Sequence, residues 1–312
     1  MIFLGCLQPL ALGLVYKLKK FVMRLRYILI FNLCILGCSP YKAVDVPSEN
    51  QNSRIDYIVL HATSQNFAES LATLTLDSNY PVSSHYLLPR LDDGSYERDD
   101  LAVYRLVPEN ERAWHAGKSY WADESGLNDR SIGIEVVNEF ACVEHSTINE
   151  TPSIDYLDCE FLPYPEKQIQ LLISLLQDIL MRYPDIDPID IVGHADIAPE
   201  RKSDPGPYFP WQQLYAAGIG AWYDQDTVQK YLNIFNKQQL PQIINIQRAM
   251  SVLGYPLEVN DIWDEQSRYA LRAFQQHYRP SDYSGKLDVE SVAIVFALLE
   301  KYRDIEIGTL VN

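Results

Sequence analysis

Two short apolar runs that each end on a histidine constrain this chain more than any other feature. Ile55-Asp56-Tyr57-Ile58-Val59-Leu60 stops at His61, and Ile189-Asp190-Ile191-Val192 stops at Gly193-His194. Short β-branched, apolar runs read as buried strands, so both imidazoles are expected where a strand gives way to a loop, along one sheet edge. Further strands are predicted at 84–88, 102–107 and 131–137, with an acidic turn at Asp92-Asp93-Gly94 between the first two. A helix is allowed over 66–76. From Glu166 to Arg182, Ile169, Leu172, Ile173, Leu176, Ile179 and Leu180 recur at helical spacing, bounded by Pro165 and Pro184, which predicts a long amphipathic helix against the sheet. The expected fold class is α/β over residues 55–225, a mixed central sheet flanked by helices. A small, nearly charge-balanced all-α domain follows over 226–312, with helices near 226–236, 241–253, 264–277 and 288–302.

A length of 312 residues with 47% hydrophobic side chains suffices to bury a core and suits two domains. The net charge is −16, and the first 37 residues contribute five bases and no acid, so the remainder is more acidic still. That balance excludes a partner held by its phosphates, and no nucleic acid is expected. Met23-Arg24-Leu25-Arg26 and the apolar run behind it, too short for a comfortable membrane span, read as a signal peptide whose true start is Met23. Ile35-Leu36-Gly37-Cys38 resembles the lipobox at which bacterial lipoproteins are cleaved and acylated on cysteine.

Residues 1–38 are therefore expected to be the signal and lipobox segment, with Cys38 carrying the lipid, and 39–54 a polar tether. An uncleaved anchor over 1–37 is the other reading, and both export the chain. Ser39 stands where lipoproteins retained at the inner membrane carry aspartate. The expected location is thus the cell envelope, lipid-anchored at the outer membrane and facing the periplasm. After Cys38 only Cys142 and Cys159 remain. They are open to bridging in an oxidising compartment, or are two small buried apolar side chains.

The densest chemistry lies in Gly193-His194-Ala195-Asp196-Ile197-Ala198-Pro199-Glu200-Arg201-Lys202-Ser203-Asp204-Pro205-Gly206-Pro207, which Pro and Gly are expected to keep from being helical. Zinc takes imidazole nitrogen and carboxylate oxygen, and catalytic sites use three protein ligands with one position left open. His194 and Asp204 offer two such donors and strand-end His61 a third.

Tyr57-Ile58-Val59-Leu60-His61-Ala62-Thr63, Ser84-His85-Tyr86, Ala113-Trp114-His115-Ala116-Gly117, Ser131-Ile132-Gly133-Ile134-Glu135 and the His194–Gly206 segment resemble, in order, the N-acetylmuramoyl-L-alanine amidase and peptidoglycan-recognition protein superfamily. The resemblance implies that His61, His194 and Asp204 hold zinc (Zn2+), that Glu135 is the general base, and that Lys202 steadies the oxyanion. An ion pair between Lys202 and Glu135 or a neighbouring acid is the other reading of that lysine. It further implies cleavage of the amide between N-acetylmuramic acid and L-alanine of the peptidoglycan stem peptide. His85 and His115 are expected to line or brace the groove. Trp114 is open to stacking on sugar or to packing in the core. His277 falls outside every motif and reads as a solvated or packed side chain.

In the terminal region, Ile246-Gln247-Arg248-Ala249-Met250-Ser251-Val252-Leu253-Gly254-Tyr255 and Ala270-Leu271-Arg272-Ala273-Phe274-Gln275 resemble a helical peptidoglycan-binding module. Asn260-Asp261-Ile262-Trp263-Asp264 departs from the usual glycine-containing turn before an aromatic-aspartate pair. The expected partners are peptidoglycan or muropeptides and, through the lipid, a membrane; the chain is expected to be monomeric. Rival readings are a non-catalytic recognition protein, a cytoplasmic recycling amidase, and a zinc peptidase acting within the stem peptide.

Overall fold

The computed structural model describes residue 41 and residues 43–145, 153–305 and 308. Met23, Cys38 and the whole of 1–38 lie outside the described residues. Residues 43–51 are exposed coil, and the folded unit begins at Asn52.

Strand β1 (Tyr57–Ala62) is buried along its full length, as its unbroken apolar run requires. Helix α1 (Phe67–Thr75) starts under an Asn66 cap whose side chain accepts from the Glu69 N–H. The short strands β2 (Tyr86–Leu88), β3 (Tyr104–Arg105), β4 (Tyr120–Trp121) and β5 (Glu124–Ser125) precede β6 (Ser131–Val136). The strand expected over 102–107 shrinks to two residues because it is an edge strand that ends before Pro108, where no ladder donor exists. The hairpin β7 (Phe140–His145) and β8 (Ser153–Phe161) occupies the stretch between β6 and the long helix.

The main sheet runs β3-β2-β6-β1-β9, where β9 spans Ile191–Gly193. Its β2, β6, β1 and β9 are parallel and β3 is antiparallel. Helix α2 (Glu166–Arg182) covers the sheet with Ile169, Leu172, Leu176 and Ile179. Each such side chain contributes roughly 1.5–3 kcal/mol when fully buried. Gln168, at its start, donates through Nε2 to Val137 O at 2.9 Å, tying the helix to the end of β6.

The segment expected to be free of helix contains one turn, α3 (His194–Ile197). Its breakers Pro199, Pro205 and Pro207 all lie downstream of that turn, and Asp196 Oδ2 accepts the Gly193 N–H at its start. After α4 (Trp211–Ala216) come α5 (Gln225–Gln238), α6 (Ile243–Leu253), α7 (Glu265–Tyr278) and α8 (Val289–Arg303). The sheet region and these helices lie in one compact unit, residues 52–312, with a shared core that runs from Ile58 and Leu172 to Phe274 and Phe296.

Candidate active site

Parallel pairing sets His61 opposite Glu135 and Leu60 opposite Gly193, so β1, β6 and β9 present His61, Glu135 and His194 at the same carboxyl ends. Ligand sites in open α/β sheets lie at such ends. Asp204 arrives from the Pro-rich loop, which is clipped to α3 by the Ala195 N–H donating to Asp204 O at 2.8 Å.

Three donor atoms then face one another. His61 Nδ1 is 3.0 Å from His194 Nδ1 and 3.3 Å from Asp204 Oδ2, and His194 Nδ1 is 3.2 Å from the same oxygen. A tetrahedral zinc with ligands at about 2.0 Å separates them by about 3.3 Å, so the triangle has the size that ion demands. All three residues are buried.

The hydrogen bonds behind the triangle assign the protons. Ser131 donates its hydroxyl to Leu127 O at 2.6 Å, so at His115 Nε2, 3.1 Å away, it accepts. His115 Nδ1 is then a lone pair and accepts from His61 Nε2–H at 3.0 Å. His194 Nε2–H donates to Ala116 O at 3.2 Å. Both Nδ1 atoms are left as lone pairs aimed into the triangle, the form a metal ligand needs. The His115 ring lies flat on Gly133, where a Cβ would stand 2.3 Å from its Cγ, so only glycine admits it. Asn128 Oδ1 accepts from the N–H groups of His115 and Ala116 and holds that turn.

Burial pushes His61 down to about 4, aided by His194, and burial likewise lowers His194. Burial would raise Asp204, but the adjoining His194 and His61, when protonated, hold it well below the usual carboxylate range. Glu135 goes the other way: burial first, then the Asp204 charge, push it up to about 8 against the pull of Lys202. Its Oε1 is 4.0 Å from His61 Nδ1 and its side chain is 14% exposed to the cleft.

These residues open into a cleft of ≈ 440 Å³. Lys202 lines it and, among the described residues, makes no ion pair with Glu135 within 4.0 Å. Trp114 stands at its rim, 50% exposed, outside the core. Cys142 is disulfide-bonded to Cys159, and Phe140 and Cys142 of the hairpin form one wall. His85 does not line the cleft: its Nδ1 accepts the Gly133 N–H at 2.9 Å, and its Nε2–H donates to Glu111 O at 3.3 Å. The contacts of Ser131 and Asn128 with His115, and of Asp196 with Tyr255 and His277, escaped the sequence reading because they join residues distant in the chain, with no local pattern to mark them.

The donor set suits metal-assisted hydrolysis: two imidazoles and a carboxylate are placed to hold a cation, and a glutamate and a lysine line the same cleft. Residues 51–207 match the family described as N-acetylmuramoyl-L-alanine amidase, and residues 239–294 match the family described as "Putative peptidoglycan binding domain". Similar proteins include the N-acetylmuramoyl-L-alanine amidase AmiD of Escherichia coli K12, 42% identical over 249 residues, covering 80% of this chain and 84% of that one. The crystal structure of AmpDh3 from Pseudomonas aeruginosa in complex with anhydromuramic pentapeptide superposes with a TM-score of 0.74 at 41% identity, over 86% of this chain and 99% of that one. E. coli AmiD in complex with its substrate anhydro-N-acetylmuramic acid-L-Ala-D-γ-Glu-L-Lys gives 0.67 at 39% identity, over 82% and 93%. This chain belongs to the N-acetylmuramoyl-L-alanine amidase family and is an enzyme of that activity.

Proposed function

We propose that the amidase is zinc-dependent, with His61 Nδ1, His194 Nδ1 and Asp204 Oδ2 as ligands, and that it releases the stem peptide from anhydro- or ordinary N-acetylmuramic acid in wall turnover. The observation that carries this reading is the donor triangle, whose two imidazoles are both held with lone pairs inward. When bound, zinc makes water acidic enough to attack at neutral pH and draws charge from the scissile carbonyl.

Glu135 takes the proton from the attacking water and returns it to the departing L-alanine nitrogen. Its elevation to about 8 belongs to the metal-free centre; a divalent charge a few ångströms away favours its ionised form. Lys202, unpaired with Glu135, faces the oxyanion that develops on the carbonyl, where a fixed charge is worth about 3 kcal/mol in a site that excludes water. Trp114, at the rim, offers an aromatic face to the sugar.

Residues 55–225 carry the chemistry in this reading, and 226–312 bring the chain to the wall. The chain acts as a monomer held to the outer membrane by a lipid on Cys38, facing the periplasm. The basic start, the lipobox-like 35–38 and Ser39 support that location, as does a disulfide suited to an oxidising compartment. Metal analysis beside turnover tests the assignment. Glu135→Ala is expected to keep zinc and lose activity by about 10²–10⁴-fold, whereas His61→Ala loses both; equal zinc loss in the two variants would refute the roles.

A further inference from the structure

The C-terminal helices meet the catalytic region at a buried polar cluster centred on the turn that carries His194. Asp196 in α3 is 1% exposed. Its Oδ2 accepts from the Gly193 N–H and from His277 Nδ1–H, each at 2.8 Å, and its Oδ1 accepts from the Tyr255 hydroxyl at 2.7 Å. Two of those three donors come from residues 239–294, the stretch matched to the peptidoglycan-binding family.

The two donors are themselves fixed. The His277 ring, 3% exposed, stacks on Trp211 with centroids 3.7 Å apart. Tyr255 packs edge-on against Trp121 at 5.0 Å. Beside it Gly254 has φ +128, and a Cβ there would stand 2.5 Å from the Trp121 ring; its carbonyl accepts the Ala122 N–H at 2.9 Å. A buried carboxyl group is costly unless its oxygens find donors, and here the C-terminal region supplies two of them. Neither His277 nor Tyr255 has a polar group left facing a wall polymer, so these residues serve the catalytic region.

The cluster acts at the break between β9 and α3, one residue before and two residues after His194. We propose that the C-terminal region is a positioning element of the active site: His277 and Tyr255, acting through Asp196, hold His194 in its metal-binding orientation. The inference rests on His194 being a zinc ligand, as in the function proposed above. Groups hydrogen-bonded to a metal ligand commonly tune its affinity by 10–100-fold; here the link to His194 is one step removed, through Asp196 and the Gly193 N–H, from a histidine 81 positions beyond Asp196.

The full chain tests it in three variants. His277→Phe keeps a ring on Trp211 and removes the donor; Tyr255→Phe removes a hydroxyl alone; Leu298→Ala truncates a fully buried side chain of α8 that makes none of the Asp196 hydrogen bonds. Zinc affinity by competition with a chromophoric chelator, and kcat and KM on a soluble muropeptide, are measured where circular dichroism shows each variant folded. Both Phe variants are expected to bind zinc about tenfold more weakly and to lose kcat with KM within about twofold. Leu298→Ala is expected to melt earlier with zinc affinity and kcat unchanged. Wild-type affinity and kcat in both Phe variants would overturn the brace, as would equal losses in Leu298→Ala. A wild-type chain that binds no zinc would overturn the metal assignment itself, a result separate from either.

Discussion

Ser131 donates its hydroxyl to Leu127 O, and through His115 that choice reaches the nitrogen of His61 that faces the donor triangle. Ser131→Ala and His115→Phe are therefore expected to lower zinc affinity about 10–100-fold, read by chelator competition; unchanged affinity would contradict the relay. Glu135 supplies a second residue-scale prediction. In the metal-free protein its carboxyl is held up to about 8 by burial and by Asp204, while an unfolded chain ionises near its ordinary value of 4.5. The folded state thus keeps a proton the unfolded state has released, so stability from this group is full below about 4.5 and falls as pH rises toward 8. Metal-free Glu135→Gln gains on wild type across that window by on the order of 2 kcal/mol, less than the full shift because the side chain is 14% exposed. His61 works in the opposite sense: lowered to about 4, its contribution is full above about 6.5 and lost as pH falls through 4. Thermal melts of chelated protein at about pH 5 and pH 8 separate these terms, and a wild-type-to-Gln difference independent of pH would contradict the assignment.

Among the elements, the β7–β8 hairpin builds one wall of the cleft and is closed by Cys142–Cys159 across 17 positions. Replacing both cysteines with serine is expected to cost on the order of 3 kcal/mol and to raise KM for peptide-bearing substrates with little change in zinc content. Calorimetry and kinetics check the two effects, and an unaltered KM would remove the hairpin from the substrate site. Elements set by apolar periodicity were legible in the sequence. Helix α2 occupies 166–182 as its i, i+3, i+4 pattern requires, and β1 and β9 deliver their histidines to one edge because parallel register aligns His61, Glu135 and His194. The short extent of the edge strand β3 and the turn α3 were not legible, since pairing partners and a side-chain cap decide them rather than the run of residues itself. The strand-end histidines and the Asp-Pro-Gly segment made the donor set readable. The groups that orient it, Ser131 behind His115 and His277 behind Asp196, were not, because they meet only when the chain is folded.

For the whole molecule, one continuous core joins the catalytic sheet to the C-terminal helices, so the region at residues 239–294 is mechanically part of the enzyme whatever it binds outside. The proposed lipid on Cys38 would add a second point of attachment, raising the local concentration of wall substrate without new chemistry. Blocking lipoprotein signal peptidase is expected to leave the precursor unprocessed, and mass analysis of the mature N-terminus should show an acylated Cys38; an unmodified Met23 terminus would contradict the anchor. The most direct test of the central claim is mass spectrometry of defined muropeptides incubated with residues 39–312 and zinc, beside a chelated sample and one with metal restored. Intact stem peptide with L-alanine at its new amino terminus, formed only when zinc is present, is the expected result; binding without cleavage, or cleavage undiminished by the chelator, would contradict it.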